Sequence, residues 1–242
     1  MLAVFGGEVV GVPAELVAAG SRTPSPKTRA SELVSRFLGG AGAEPAVSLQ
    51  LGALGTLAYS HASQPLLRPR SFAAKDEIFC LFEGLLDNLG RLGQQYGLCK
   101  VANEAVLAIE AYKTLRDRGP YPASFMLSQL AGGYAFVLFD KSTSSLLVAS
   151  DPEGKVPFYW GITADGCVAF SDDVDMLKGS CGKSLAPFPQ GCFYSNTLGG
   201  LKCYENPKNK VTAVPADEEE ICGATFQVKP TAYYVLKKNS VL

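Results

Sequence analysis

Several features that would point to a particular function class are scarce in this sequence of 242 residues. It has a single histidine, and none of its seven cysteines forms a CxxC pair, so a zinc site of clustered Cys and His ligands is not expected. Lys and Arg number 22 against 23 Asp and Glu, which excludes the basic surface typical of nucleic-acid binding. The scattered, odd-numbered cysteines indicate a reducing compartment, with most of them acting as small buried apolar residues.

Long apolar segments and cofactor-binding motifs are missing as well. No apolar run approaches the length of about 20 residues that a membrane-spanning helix needs, and no basic region precedes the apolar N-terminus. We therefore expect neither a signal peptide nor membrane insertion, and a cytoplasmic protein with the nucleus as an alternative compartment. The sequence lacks GxSxG, GxxxxGK[ST] and a GxGxxG that follows a strand, so no cofactor is expected.

What the sequence does contain is centred on residues 130–161, which predict three strands. Residues 134–139 and 146–149 are continuous apolar runs, and residues 157–160 are short and aromatic. Apolar runs without polar alternation are typical of strands that are buried on both faces. A sheet buried on both faces needs a further layer on each side, which favours stacked sheets or a helix–sheet sandwich.

The turn Asp151-Pro-Glu-Gly154 separates the last two of these strands. Asp at the start of a turn can accept backbone N–H groups with its side-chain oxygens, and Gly adopts a positive φ at little cost. We interpret Asp151 and Gly154 as structural residues.

The remaining elements are predicted from periodicity and capping residues. Asn103 can cap the clearest helix, a strand over residues 78–82 stops just before Glu83, and a short capped helix runs from residue 172 to 178. Residues 64–75 contain two arginines and are expected to form a solvated connection. The predicted helices cover residues 13–19, 28–38, 86–96, 103–116, 123–130 and 172–178.

Motifs spread over nearly the whole chain resemble the glutaminase half of asparagine synthetase and other class II glutamine amidotransferases. They are, in order, MLAVF, FEGLLDN, GGYAFVLFD, LLVASDPEGKVPFYWG, CVAFSDDVDML and FPQGCFY. A closer resemblance is to a plant family described as aluminium-induced, whose YGL and LRDR motifs stand here at residues 96–98 and 115–118. The resemblance implies one domain over residues 1–242 with a four-layer α/β/β/α sandwich of two mainly antiparallel sheets, as in N-terminal nucleophile hydrolases.

The resemblance also implies where a glutaminase site would lie, and the catalytic groups are missing there. The cysteine nucleophile of those enzymes follows the initiator Met, and here that position is Leu2, whose bulk should prevent removal of Met1. The oxyanion-hole Asn-Gly pair matches Glu83 and Gly84. An ionised carboxylate only accepts hydrogen bonds, so Glu83 would repel an oxyanion.

The groups that would hold the substrate glutamine differ too. The arginine for its α-carboxylate falls on His61, and the acidic residue for its α-amino group falls on Asn103. We expect Tyr59, His61, Glu83, Gly84 and Asn103 to border a cleft whose floor Leu2 makes apolar. Taken without the resemblance, His61 is a partly exposed structural histidine, Glu83 a turn residue and Asn103 a helix cap.

Two function classes remain open at this point. The first is a non-catalytic, stress- or metal-responsive plant protein that serves as a scaffold and binds a small molecule or a protein partner, with a homodimer expected. The second is a hydrolase or amidotransferase-type enzyme that uses other residues, such as a cysteine or His61. Because catalysis needs a nucleophile and a base within hydrogen-bonding reach, the first class is favoured.

Overall fold

A computed structural model describes residues 1–20, 25–40, 45–62, 64–118, 122–217 and 220–230 of this protein. The strands are β1 (Leu2–Phe5), β2 (Ala46–Gln50), β3 (Gly55–Ser60), β4 (Arg70–Lys75), β5 (Ile78–Leu86), β6 (Gly132–Asp140), β7 (Ser145–Ser150), β8 (Tyr159–Ile162), β9 (Val168–Ser171), β10 (Ala186–Pro187), β11 (Cys192–Ser195), β12 (Gly200–Cys203), β13 (Lys210–Pro215) and β14 (Ala224–Lys229). The α-helices are α1 (Ala14–Gly20), α2 (Ala30–Gly40), α3 (Leu89–Gln95), α4 (Glu104–Asp117), α5 (Ala123–Leu127) and α6 (Val174–Cys181).

Two six-stranded antiparallel sheets form the centre of the fold. The first has the strand order β10-β8-β9-β1-β3-β2, and the second has the order β12-β11-β7-β6-β5-β4. β13 and β14 form a separate two-stranded hairpin. One apolar cluster lies between the two sheets and includes Phe5, Trp160 and Phe170 of the first and Val137 and Phe139 of the second.

Two further apolar clusters lie on the outer faces of the sheets. One joins the second sheet to α3, α4 and α5, and it contains Phe82, Tyr134 and Phe136 together with Ile109 and Met126. The other joins the first sheet to α2 and α6. The order of layers is therefore helices, sheet, sheet, helices, and the predicted α+β sandwich of two mainly antiparallel sheets is confirmed.

The three strands predicted in residues 130–161 are present as β6, β7 and β8. Every residue of β7 is buried, and β6 is buried from Tyr134 to its end, because apolar clusters cover both faces of the second sheet. Strand β13 was not predicted, since its exposed, mixed sequence carries no strong alternation.

Asp151 lies fully buried immediately after β7 and binds four backbone N–H groups. Its Oδ1 accepts hydrogen bonds from Glu153 and Lys155, and its Oδ2 accepts them from Tyr134 and Val156, at 2.9–3.3 Å. Gly154 has a φ of 63° and packs against Gln190 so closely that a Cβ would lie 2.2 Å from the amide nitrogen. A single carboxylate thus fixes this turn to the neighbouring strand.

Two predicted boundaries around residue 83 were wrong. The strand does not stop before Glu83 but continues to Leu86, because β6 pairs with it along its whole length. The helix predicted from residue 86 consequently begins only at Leu89. Within the longer strand, Gly84 has a φ of 113° and approaches the backbone of Gly133, where a Cβ would lie 2.1 Å from the carbonyl oxygen.

Two further predictions were corrected by the structure. Residues 64–75 are not wholly a solvated connection, since Arg70 starts β4 and keeps only 12% of its side chain exposed. Helix α6 is capped by Asp173, whose side chain accepts the N–H groups of Asp175 and Met176, so the helix begins two residues later than predicted. This leaves Asp172 outside the helix.

Helix α4 explains the roles of Asn103 and of the LRDR motif. Asn103 caps it by accepting the N–H of Val106 at 3.0 Å. In the LRDR motif at its other end, Arg116 binds the buried carboxylate of Asp140 at 2.9 Å, which is a structural role. None of the helices in the described ranges is long and apolar enough to span a membrane.

We predict that Asp151→Ala lowers the free energy of unfolding by about 3 kcal/mol, because two buried and two partly buried N–H donors lose a charged acceptor. Asp151→Asn keeps one of the two acceptor oxygens, so its free energy of unfolding should lie between those of Asp151→Ala and the wild type. Chemical denaturation followed by circular dichroism measures both. The control is Glu153→Ala, an exposed change in the same turn, which should stay within about 0.5 kcal/mol of the wild type. Equal stabilities for Asp151→Ala and Glu153→Ala would refute the role of this carboxylate.

Candidate functional site: a buried ion cluster

Four ionisable groups meet at one end of the space between the sheets: the amino group of Met1 and the side chains of Arg70, Glu83 and Asp172. We call them the ion cluster. Met1 precedes β1, Asp172 follows β9, and these two strands are hydrogen-bonded neighbours in the first sheet. Arg70 and Glu83 stand opposite each other on β4 and β5 of the second sheet. The cluster therefore joins the two sheets.

The contacts within the ion cluster are short and shielded from water. One carboxylate oxygen of Asp172 accepts a hydrogen bond from the amino group of Met1. The other oxygen accepts a hydrogen bond from Arg70 Nε at 2.7 Å. The same Nε lies 3.4 Å from Glu83 Oε2. The side chains of Glu83 and Asp172 keep only 1% and 3% of their surface exposed. Arg68 approaches Glu83 at 3.9 Å from the solvent side.

Arg70 is held by several groups beyond the carboxylates. Its Nη1 donates to the carbonyl oxygens of Ser60 and Ala62 at 3.3 and 3.0 Å. Its backbone N–H donates to Gln64 Oε1, and its carbonyl oxygen accepts the hydroxyl of Tyr59 at 2.9 Å. These bonds fix the guanidinium in one position, because its donors point in fixed directions from a planar group.

Burial and mutual charge shift the pKa values of the cluster in different directions. Burial, with the hydrogen bond and charge of Asp172, raises the pKa of Glu83 to about 8, against the opposing effect of Arg70. Burial alone would raise the pKa of Asp172, but the charge of the Met1 amine, the hydrogen bond from Glu83 and the charge of Arg70 lower it. Burial also lowers the pKa of the Met1 amine, although Asp172 opposes this. Glu83 therefore keeps its proton at neutral pH, whereas the sequence suggested an ionised carboxylate.

Leu2 does not form the floor of a cleft beside Glu83, as the sequence suggested. Residues alternate between the faces of a strand, and Leu2 packs with Leu33, Leu177 and Cys181 in the outer cluster under α2 and α6. Met1 is the residue whose side chain joins the apolar cluster between the sheets.

The groups at the positions matched to an oxyanion hole have internal partners. The backbone N–H of Gly84 donates to the carbonyl oxygen of Pro69 at 2.9 Å. The carboxyl group of Glu83 is bound by the two arginines. An oxyanion hole requires donors aimed at an empty position, and neither group meets that requirement here.

The remaining expected pocket residues are divided between two places. Tyr59 and His61 lie next to the ion cluster, with the hydroxyl of Tyr59 at 2.7 Å from His61 Nε2. The imidazole of His61 also contacts Gln64 Oε1 at 2.9 Å. Asn103 uses its side-chain oxygen as a helix cap, and the hydrogen bonds of the ion cluster do not include it.

Sequence reasoning missed Arg70 and Asp172 as members of the site. Asp172 stands in the CVAFSDDVDML segment, one of those that carry the resemblance, so its position could have been singled out. No pattern distinguished Arg70 from Arg68, because the two arginines stand in the same short basic stretch. Among the described residues, no group of three or more His, Cys, Asp or Glu could hold a metal ion.

Comparison with known proteins shows that this chain is homologous to the glutamine amidotransferase region of asparagine synthetase. A family model described as aluminium induced protein matches residues 2–228, and the chain belongs to that family. It is 46% identical over 93 residues to the stem-specific protein TSJT1 of Nicotiana tabacum, which covers 38% of this chain and 62% of that protein.

The similarity to asparagine synthetases is weaker. A probable glutamine-hydrolysing asparagine synthetase of Dictyostelium discoideum is 34% identical over 99 residues, or 39% of this chain and 18% of that protein. Asparagine synthetase 2 of Oryza sativa is 36% identical over 90 residues, or 37% of this chain and 15% of that protein. The alignments thus cover less than two thirds of each of these relatives. A solved glutamine phosphoribosylpyrophosphate amidotransferase from B. subtilis has a TM-score of 0.46 and 17% identity, covering 65% of this chain and 36% of that chain.

We predict that Glu83→Gln changes how stability depends on pH. A pKa raised from 4.5 to about 8 by folding contributes stability that is full below 4.5 and is lost as the pH rises through 8. Gln does not titrate, so Glu83→Gln does not lose this stability. The free energy of unfolding of the variant minus that of the wild type should therefore rise by up to about 1.4 kcal/mol per pH unit as the pH increases from 4.5 to about 8. Denaturation at a series of pH values measures the difference. An exposed carboxyl, changed in Glu153→Gln, serves as the control, and parallel curves for Glu83→Gln and the wild type would contradict the prediction.

Proposed function

We propose that this protein is a glutaminase-inactive, amidotransferase-like plant protein of stress or metal responses. In this proposal the ancestral catalytic site has become a structural ion cluster, and the protein works as a scaffold that binds a partner through its surface. Membership of the aluminium-induced family supports the physiological part of the proposal. A homodimer and a cytoplasmic location remain part of the proposal.

The observation that carries the proposal is that the groups at the positions matched to the glutaminase site already have internal partners. Leu2 is enclosed by apolar side chains, the N–H of Gly84 is bound to Pro69, and Glu83 is bound to Arg70. An N-terminal nucleophile needs a free α-amino group as its base. The amino group of Met1 is bound to Asp172 instead.

The charges around Glu83 also oppose the binding of a ligand there. The sequence suggested that an open cleft would favour a ligand that is positively charged or donates hydrogen bonds to this carboxyl. In the structure Arg70 and Arg68 already supply the positive charge, and Arg70 also donates a hydrogen bond to this carboxyl. A ligand would have to displace a buried guanidinium, which costs several kcal/mol. This supports the closed-site form of the proposal over a small-molecule pocket.

The alternative of an enzyme built on His61 and a cysteine finds no support in the contacts of the imidazole. A nucleophilic cysteine needs a base within hydrogen-bonding distance and a lowered pKa. The hydrogen bonds of His61 go to Tyr59 and Gln64. Burial raises the pKa of the Cys80 and Cys181 thiols, which makes these thiols poor nucleophiles.

We predict that the purified protein releases no ammonia from glutamine above the buffer blank. Leu2→Cys should not restore activity, because the N–H of Gly84 and the carboxyl of Glu83 remain occupied. A glutamine-hydrolysing asparagine synthetase assayed in parallel shows that the assay detects turnover. Ammonia release that survives repurification of the wild type would overturn the proposal.

Binding is tested separately from turnover. Calorimetric titration with glutamine, glutamate and a set of amines should give no binding heat, for the wild type and for Glu83→Gln alike. A closed site predicts this result because, in the part of the chain that the structure describes, the arginines and carboxyl groups at this site are already bound to one another. Tight binding of glutamine by the wild type would show that the site is open and would defeat the proposal.

A further inference from the structure

We propose that Cys192 and Cys203 form a reversible disulfide in the folded protein when it meets a peroxide, which makes this cysteine pair an oxidative modification site. The pair lies in the second sheet, where it takes no part in the ion cluster. The inference is independent of the proposed function.

The strand register brings the two cysteines together. Cys192 on β11 and Cys203 on β12 are direct partners in an antiparallel pair. The N–H of Tyr204 donates to the carbonyl oxygen of Gly191 at 3.0 Å, just outside the pair. A bond in that place identifies Cys192 and Cys203 as a non-hydrogen-bonded pair, in which the Cα atoms are about 4.5 Å apart and the side chains are closest.

This geometry suits a cross-strand disulfide. Such bonds need Cα atoms roughly 4.4–6.8 Å apart, a range that includes the spacing of a non-hydrogen-bonded pair. Residues opposite each other in a sheet also point to the same face. Burial and the neighbouring Cys203 raise the pKa of Cys192, which makes this thiol, like Cys80 and Cys181, a poor nucleophile towards a free oxidant, so the first attack falls to Cys203. The register therefore places the two thiols where a disulfide can join them.

Access to the pair is unequal. Both cysteines are buried, but Cys203 borders two cavities. One has a volume of about 460 Å³ and is also bordered by Gln190 and Glu205. The other has a volume of about 240 Å³ and lies beside Lys202. A small oxidant can therefore reach Cys203, while Cys192 is enclosed behind it.

The chemistry follows from this difference in access. The sulfur of Cys203 attacks one oxygen of hydrogen peroxide, the O–O bond breaks, and a sulfenic acid and one water molecule form. The sulfur of Cys192 then attacks the sulfur of Cys203, and the departing hydroxide takes the proton of Cys192 and leaves as a second water molecule. Two electrons pass from the two sulfurs to the peroxide. A dithiol reductant reverses the reaction by thiol–disulfide exchange.

A disulfide here would fasten the edge of the second sheet. β12 is the outermost strand of that sheet, and the chain continues from it towards the hairpin of β13 and β14. An added cross-link constrains the unfolded chain, so the oxidised protein should melt at a higher temperature than the reduced one. Oxidation would thus stabilise an edge strand instead of opening the fold.

The experiment exposes the reduced full-length protein to hydrogen peroxide until the exposed Cys99 is oxidised, then denatures it and alkylates the remaining thiols. Peptide mapping without reductant should show a link between the peptides that contain Cys192 and Cys203, and dithiothreitol should restore both thiols. Two buried cysteines serve as internal controls and should be recovered alkylated: Cys80, which stands opposite Ala73 and Leu138, and Cys181, which lies in α6. Recovery of Cys192 and Cys203 as alkylated thiols, or a link from either to another cysteine, overturns the proposal.

Two matched variants test the order of events. In Cys192→Ser the sulfenic acid of Cys203 has no partner and should be trapped by dimedone, whereas in Cys203→Ser residue 192 should stay unmodified. Equal labelling of the remaining cysteine in the two variants contradicts the order. The melting temperature should rise on oxidation of the wild type and on oxidation of Cys99→Ser, but in neither of the two pair variants. The wild-type peptide map decides the proposal even if one variant fails to fold.

Discussion

The ion pair between Arg70 and Asp172 is the interaction on which this end of the sandwich depends. It joins a strand of the second sheet to the segment that follows β9 in the first sheet, with 2.7 Å between Nε and Oδ2. A buried charge is tolerated only when it is paired and hydrogen-bonded. The guanidinium satisfies this condition for Asp172 and Glu83 together, and the amine of Met1 completes the set. Removing Arg70 would deprive the buried carboxylate of Asp172 of its guanidinium partner.

On the proposed function, the ion cluster is the reason why the site of this chain would be closed. Catalytic sites keep polar groups unpaired in the free protein so that substrate can bind them. Here the same end of the fold uses its polar groups for internal contacts, such as the N–H of Gly84 with Pro69 and the hydroxyl of Tyr59 with Arg70. On the proposed function, polar groups that once served catalysis now stabilise the contact between the two sheets.

The prediction from sequence was most accurate where burial leaves a regular pattern. The apolar runs of β6 and β7 predicted strands covered on both faces, which favoured stacked sheets or a helix–sheet sandwich, and the resemblance implied the four-layer form. The helix cap at Asn103 and the turn at Asp151 could be predicted from nearby residues because caps and turns are short-range structures, whereas the placement of Asn103 beside a pocket came only from the resemblance. The prediction was least accurate at Glu83, where pairing with β6 extended a strand beyond its apolar run. Local preference is weak compared with a ladder of hydrogen bonds from a neighbouring strand.

The sequence by itself determined the layered fold, the turn at Asp151 and the absence of a nucleophile at Leu2, since each depends on residue type or on neighbours along the chain. Only the tertiary structure decided that Arg70 meets Asp172, which stands 102 residues away, and that Glu83 keeps its proton. The protonation of a carboxyl group depends on how far it is buried and on which charges surround it. Those conditions exist only once the two sheets have packed together.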